Sequence, residues 1–84
     1  MPTGNRVIVV MEHPARKYAS IVRKLFGRYD EVVLSARGRH FARLAEVLKI
    51  LRPYVRVKGT LFSYADNAPE LGVVVSPAGG GVGE

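Results

Sequence analysis

The chain reads as a two-layer α/β domain, with two helices on a four-stranded mixed sheet in the order β-α-β-α-β-β. Three observations predict this. Two short β-branched runs near the start are each followed by a segment with apolar residues at three- and four-residue spacing. Two further strand-like runs, from Val55 and from Leu71, close the chain. The whole is 84 residues with no internal repeat and no dividing linker, which leaves room for one core. The expected organisation is a single domain over residues 1–76 and a Gly-rich, disordered tail over 77–84.

The first element is Val7-Ile8-Val9-Val10-Met11, continuous and β-branched, as in a strand buried on both faces. Glu12-His13-Pro14 ends it, and Pro14 suits the first turn of a helix because its missing N–H has no partner there in any case. Ala15, Tyr18, Ala19, Val22, Leu25 and Phe26 then form one helical stripe, with Arg16, Lys17, Ser20, Arg23 and Lys24 opposite it, stopping near Gly27. Val32-Val33-Leu34, within Glu31 to Ser35, is the second strand.

After Ala36-Arg37-Gly38-Arg39-His40 a second helix is predicted to run to about Arg52, before Pro53. Phe41, Leu44, Ala45, Leu48 and Leu51 make one stripe, and Val47 and Ile50 widen it. So broad an apolar surface in so small a domain calls for a second cover, and a partner subunit is the simplest. Val55-Arg56-Val57-Lys58 alternates with period two, Gly59 marks a bulge, and Leu61 to Tyr64 extends the strand. Ala65 to Glu70 is read as a turn, and Leu71 to Ser76 as the last strand.

Thirteen Lys and Arg against seven Asp and Glu give a net charge of +6, and nine of the cations are Arg. The charge is concentrated: Arg16 to Lys58 holds twelve cations and three acids, while the remainder, Arg6 against Glu12, Asp66, Glu70 and Glu84, is acidic on balance. That distribution fits a polyanionic partner, although a basic solvated surface has the same composition. No cysteine is present, which excludes disulfides and thiolate metal sites. The longest early apolar run is far short of the roughly 20 residues of a membrane span, so no membrane partner is expected, and a cytoplasmic location is. His13 and His40 read as structural or surface residues, no carboxylate pair is spaced for acid–base work, and no metal-ligand spacing occurs. No catalytic residue, metal, cofactor or small-molecule substrate is therefore expected.

Ser35-Ala36-Arg37-Gly38-Arg39-His40 is the informative segment. A strand ends, a glycine permits a tight turn, and a helix begins with free N–H groups and its positive dipole end outward. Arginines on either side of that glycine could hold a phosphate backbone without reading base sequence. The stretch Val32 to Arg39, followed by Phe41, Ala42, Arg43, Ala45, Val47, Ile50 and Arg52, resembles the central motif of the Alba family, small archaeal chromatin proteins with RNA-binding relatives. Pro14 and Tyr18 fall where that family has a Pro and a Tyr at the start of its first helix.

The resemblance implies a non-enzymatic dimer, associated with the nucleoid, that binds double-stranded DNA or RNA mainly through its backbone. By position it implies phosphate contacts at Arg37 and Arg39, the turn at Gly38, and Arg43 as a further contact on the same helix. Arg16 and Lys17 on the first helix extend this expected footprint. The expected dimer surface is Phe41, Leu44, Val47, Leu48, Ile50 and Leu51, with Tyr54 where the family has an aromatic at contacts between dimers. The partner copy is the same chain or an Alba paralogue.

Two departures from the family pattern stand out. Glu12-His13 replaces a Lys-Lys pair common before the proline, and the turn from Ser63 to Glu70 is short and carries Asp66 and Glu70 where the family extends a basic hairpin. Acids at these places repel phosphate and lower the expected affinity. They also motivate an alternative: an interaction module or heterodimer partner of the same fold with weak or no nucleic-acid binding.

Overall fold

The computed structural model describes residues 4–78. Its elements are β1 (Asn5–Val9), α1 (Ala15–Leu25), β2 (Glu31–Arg37), a short 3-10 turn (Gly38–His40), α2 (Phe41–Leu51), β3 (Val55–Ala65) and β4 (Ala68–Pro77). The strands form one sheet in the order β1-β2-β4-β3. β1 and β2 run parallel, with Val7 beside Val33, as expected for strands joined through a helix. β4 is antiparallel to both of its neighbours.

Alternation along the strands sends Val32, Leu34, Ala36, Val73 and Val75 to one face, where they meet Ala15, Tyr18, Ala19 and Val22 of α1 and Leu44, Val47 and Leu51 of α2. These residues form the core, and no polar or charged side chain is buried among the described residues. The opposite face of the sheet carries no helix. Val7 and Val9 are exposed there beside Val33, Ser35 and Val74. β1 thus has the continuous apolar composition of a doubly covered strand and is covered on one face only.

β3 and β4 are longer than the sequence indicates. The turn between them is only Asp66-Asn67, both in the left-handed region at φ 53° and 60°, the conformation of a two-residue hairpin turn that Asp and Asn tolerate. Ala65 and Ala68 to Glu70, expected in the turn, are strand. The hairpin reaches only two residue pairs past the last β2 pairing, Arg37 with Glu70. A bulge lies between Val57 and Gly59, where Lys58 is the extra residue on β3. At the other end β4 continues through Pro77, which pairs with Val55. Gly79 to Glu84, the rest of the expected tail, lie outside the described residues.

Candidate nucleic-acid interface

Both helices start at the same end of the domain, because each follows one of two parallel strands. The carboxyl ends of β1 and β2, the first turns of α1 and α2 and the tip of the β3–β4 hairpin therefore converge. Pro14 stands at the N-cap of α1 and His40 at that of α2; neither makes a side-chain capping bond, and neither helix carries an acid in its first turn. The positive ends of both helix dipoles are left without a negative counterpart from the helices themselves.

The β1–α1 connection is held by Tyr18, which is buried beneath it. Its hydroxyl oxygen accepts the backbone N–H of Met11 at 2.8 Å and that of His13 at 3.3 Å. The His13 ring packs edge-on against Tyr18 with centroids 6.0 Å apart. His13 is thus a packing residue.

Arg37 ends β2, and Gly38-Arg39-His40 turn into α2. Gly38 does not adopt a positive φ. A Cβ there would stand 3.1 Å from Pro69 Cγ, so any side chain at this position needs the hairpin to yield by a few tenths of an ångström. Arg37 to His40, Val9 to Met11 and Asn67 to Glu70 surround a cleft of about 530 Å³. Arg37 Nη2 lies 3.8 Å from Asp66 Oδ2, with the two side chains 54% and 83% exposed. Such an exposed pair contributes about 0–1 kcal/mol and yields readily to a stronger anion. Glu70 accepts a hydrogen bond from Ser35 Oγ at 3.3 Å.

Arg39 also lines an adjoining hollow with Met11, Glu12, His40 and Arg43. Arg43 Nη1 contacts Glu46 Oε1 at 3.1 Å. Arg43 and Arg16 then share the next groove, between the first turns of α1 and α2. Arg37, Gly38, Arg39, Arg43 and Arg16 are accordingly brought to one end of the domain. Lys17, exposed on α1, lines none of these three hollows. Pro69 and Asn67 of the hairpin complete the cleft and went unnoticed in the sequence, where they read only as turn residues.

The seven residues expected at a dimer surface do not share one surface. Leu44, Val47 and Leu51 are fully buried in the chain's own core and have nothing to offer a partner; this corrects that part of the expectation. Their spacing of three and four is the stripe that covers the sheet. Phe41 and Leu48 are half-buried at the edge of this core. Leu48 lines a groove with Ala45, Val55 and Val57 between α2 and β3. Ile50 and Tyr54 lie on the other side of α2, against α1, where the Arg23 guanidinium sits 4.0 Å from the Tyr54 ring centroid.

A family model described as Alba matches residues 5–68. The chain belongs to the Alba family. That family is nucleic-acid-binding and generally without enzymatic activity. The Alba fold extends over nearly all the described residues: a crystal structure of ALBA1 from Trypanosoma brucei superposes with a TM-score of 0.81 at 22% identity, covering 86% of this chain and 69% of the other. Alba from Thermoplasma volcanium superposes with a TM-score of 0.66 at 16% identity, covering 83% and 98%. No curated protein sequence matches. Among the described residues no helix is long and apolar enough to cross a membrane, and no group of three His, Cys, Asp or Glu could hold a metal ion.

Proposed function

We propose that this Alba protein is a non-enzymatic, sequence-independent binder of double-stranded DNA or RNA that works as a dimer in the cytoplasm, at the nucleoid. The observation that carries the reading is the pair Arg37 and Arg39 flanking Gly38 at the end of the domain where both uncapped helices begin. Arginines on a turn hold phosphate oxygens with forked, directed hydrogen bonds, and nothing in that arrangement reads a base edge. Arg43 and Arg16 extend the contact; Lys17 adds charge from the exposed side of α1.

The dimer surface we assign is the seam between α2 and β3. Ala45 and Leu48 line its helix side and Val57 its strand side; Phe41 falls on the Leu48 stripe by its seven-residue spacing, and the exposed Phe62 is on the same face of β3 by its pairing with Leu71. This is the apolar surface left over once α2 has covered its own sheet.

Anisotropy of labelled duplex across a salt series tests the reading. Each phosphate contact adds roughly 0.9 to the slope of log affinity against log salt on duplex DNA. Arg37→Ala/Arg39→Ala should therefore lower the slope by about 2 and weaken binding at every salt concentration. An unchanged slope and affinity would refute the site. Glu12 beside Arg39 and Asp66 beside Arg37 favour one second reading, the heterodimer partner with weak binding of its own. Absent duplex binding by the pure protein, together with a stable complex with an Alba paralogue, would select it.

A further inference from the structure

Three hollows on the helix side of the domain follow one another. The first holds Arg39 and Arg43. The second holds Arg43, Arg16, Lys49 and Ile50. The third, about 610 Å³, holds Arg16, Ile50, Arg23, Lys24 and Tyr54. Each shares residues with the next, so together they are one groove running between α1 and α2. It starts at the arginine turn and ends at Tyr54, just past the end of α2.

Its acids, Glu12 and Glu46, are confined to the upper half, and Glu46 is already engaged by Arg43. The lower hollow is lined by three cations and by no acid. There Tyr54 stays 45% exposed with the Arg23 guanidinium 4.0 Å from its ring centroid. Cations along a groove with an aromatic at its end are the two components of a site for single-stranded nucleic acid: charge that follows phosphates and a flat ring on which a base stacks. The groove is set by two helices in side-by-side contact, which pack at about 8–10 Å between axes, so a duplex can lie across it and cannot enter it. An 11-residue helix is about 16 Å long at 1.5 Å per residue. That is room for about four nucleotides at the 3.4 Å rise of a stacked strand.

We infer that the groove between α1 and α2 takes a single-stranded extension of a bound nucleic acid, from the duplex held at Arg37 and Arg39 down to a base stacked at Tyr54. This rests on the proposed function and specifies its ligand: a duplex carrying an unpaired tail.

The test compares three RNA probes by anisotropy: a blunt duplex, the same duplex with a five-nucleotide unpaired tail, and a single strand alone. The wild-type chain should prefer the tailed duplex over the blunt one by about 10-fold, the scale of one stacked base with accompanying phosphate contacts. Arg23→Gln/Lys24→Gln/Tyr54→Leu should abolish that preference, weaken the single strand, and leave the blunt duplex within about 2-fold. A wild-type protein indifferent to the tail, or a groove variant that still prefers it, overturns the inference. So does equal weakening of tailed and blunt duplex. Analytical ultracentrifugation of the same variant supplies a further check: a change in the free protein's association state assigns this face to a contact between copies, and the inference fails. Arg37→Ala/Arg39→Ala separates the two proposals, because unchanged blunt-duplex binding in that variant sinks the proposed function while the tail preference is read independently.

Discussion

Tyr18→Phe isolates one oxygen atom. The ring stays in the core with its contacts to α2 and the sheet intact, and only the acceptor for the Met11 and His13 amides is lost. An amide deprived of a buried partner costs about 1–3 kcal/mol. Both bonds are only partly buried and the His13 bond is long at 3.3 Å, so water recovers a share of the loss. About 1–2 kcal/mol in total is expected. At roughly 4–8 °C per kcal/mol for a domain of this size, the midpoint falls by about 5–15 °C. The measurement is thermal unfolding followed by circular dichroism at one fixed protomer concentration, since assembly contributes to the midpoint. Hydrogen exchange locates the effect: the Met11 and His13 amides should lose protection, while Val10, bonded to the Ser35 carbonyl at 2.7 Å, should keep it. An unchanged midpoint with unchanged exchange at both amides would show that the hydroxyl does not hold the β1–α1 connection.

Leu44→Ala should cost about 2–5 kcal/mol in denaturant unfolding of the chain, whereas Leu48→Asp should leave the fold and convert dimers to monomers by sedimentation. Dissociation by the first without loss of stability would refute the division made between core and seam. Asp66→Asn frees Arg37 and should raise duplex affinity by up to about 5-fold at low salt, an advantage that fades as salt rises; an unchanged affinity at low salt would mean that the pair does not compete with phosphate. Gly38→Ala should destabilise by about 1 kcal/mol through its clash with Pro69, and Pro69→Ala should relieve most of that in a double-mutant cycle. Additivity of the two substitutions would show that the contact is not what excludes a side chain.

The element order was legible in the sequence because continuous or alternating β-branched runs mark the strands and apolar residues at three- and four-residue spacing mark the helices. Arg37-Gly38-Arg39 was legible too, as a strand-to-helix turn. The reason for Gly38 was not: it depends on Pro69, 31 positions away in sequence and brought in by pairing of β4 with β2. The breadth of α2 was visible, but periodicity does not say which of two adjoining stripes meets the chain's own sheet. Leu44, Val47 and Leu51 were thereby grouped with Phe41 and Leu48, although only the latter two stand at the edge of the core. The hairpin boundary was misplaced because Pro69 and Asp66-Asn67 together read as a long turn. Pro69 is tolerated in β4 because it stands past the last β2 pairing, where no β2 partner needs its N–H. The groove ending at Tyr54 had no signal at all in one dimension, since Arg23 and Tyr54 meet only when α1 and α2 lie side by side.

The bulge at Lys58 fixes the parity of everything that follows it on β3. Beyond it, Phe62 pairs with Leu71 and Tyr64 with Pro69, which puts both rings on the helix side, while Leu61 and Ser63 share the bare face with Gly72 and Glu70. Removing that one residue would close the bulge and leave every later pair as it is, because Val57 with Val75 and Gly59 with Val74 would become consecutive rungs. What would turn the rings toward Val33 and Val74, and bring a leucine and a serine to the seam, is a one-residue slip that gives Lys58 a rung of its own. Holding Lys58 out of the ladder is therefore what keeps the aromatic surface on the seam side of the molecule. Which residues of β3 take a rung, as much as which residues they are, determines the partner surface this hairpin presents.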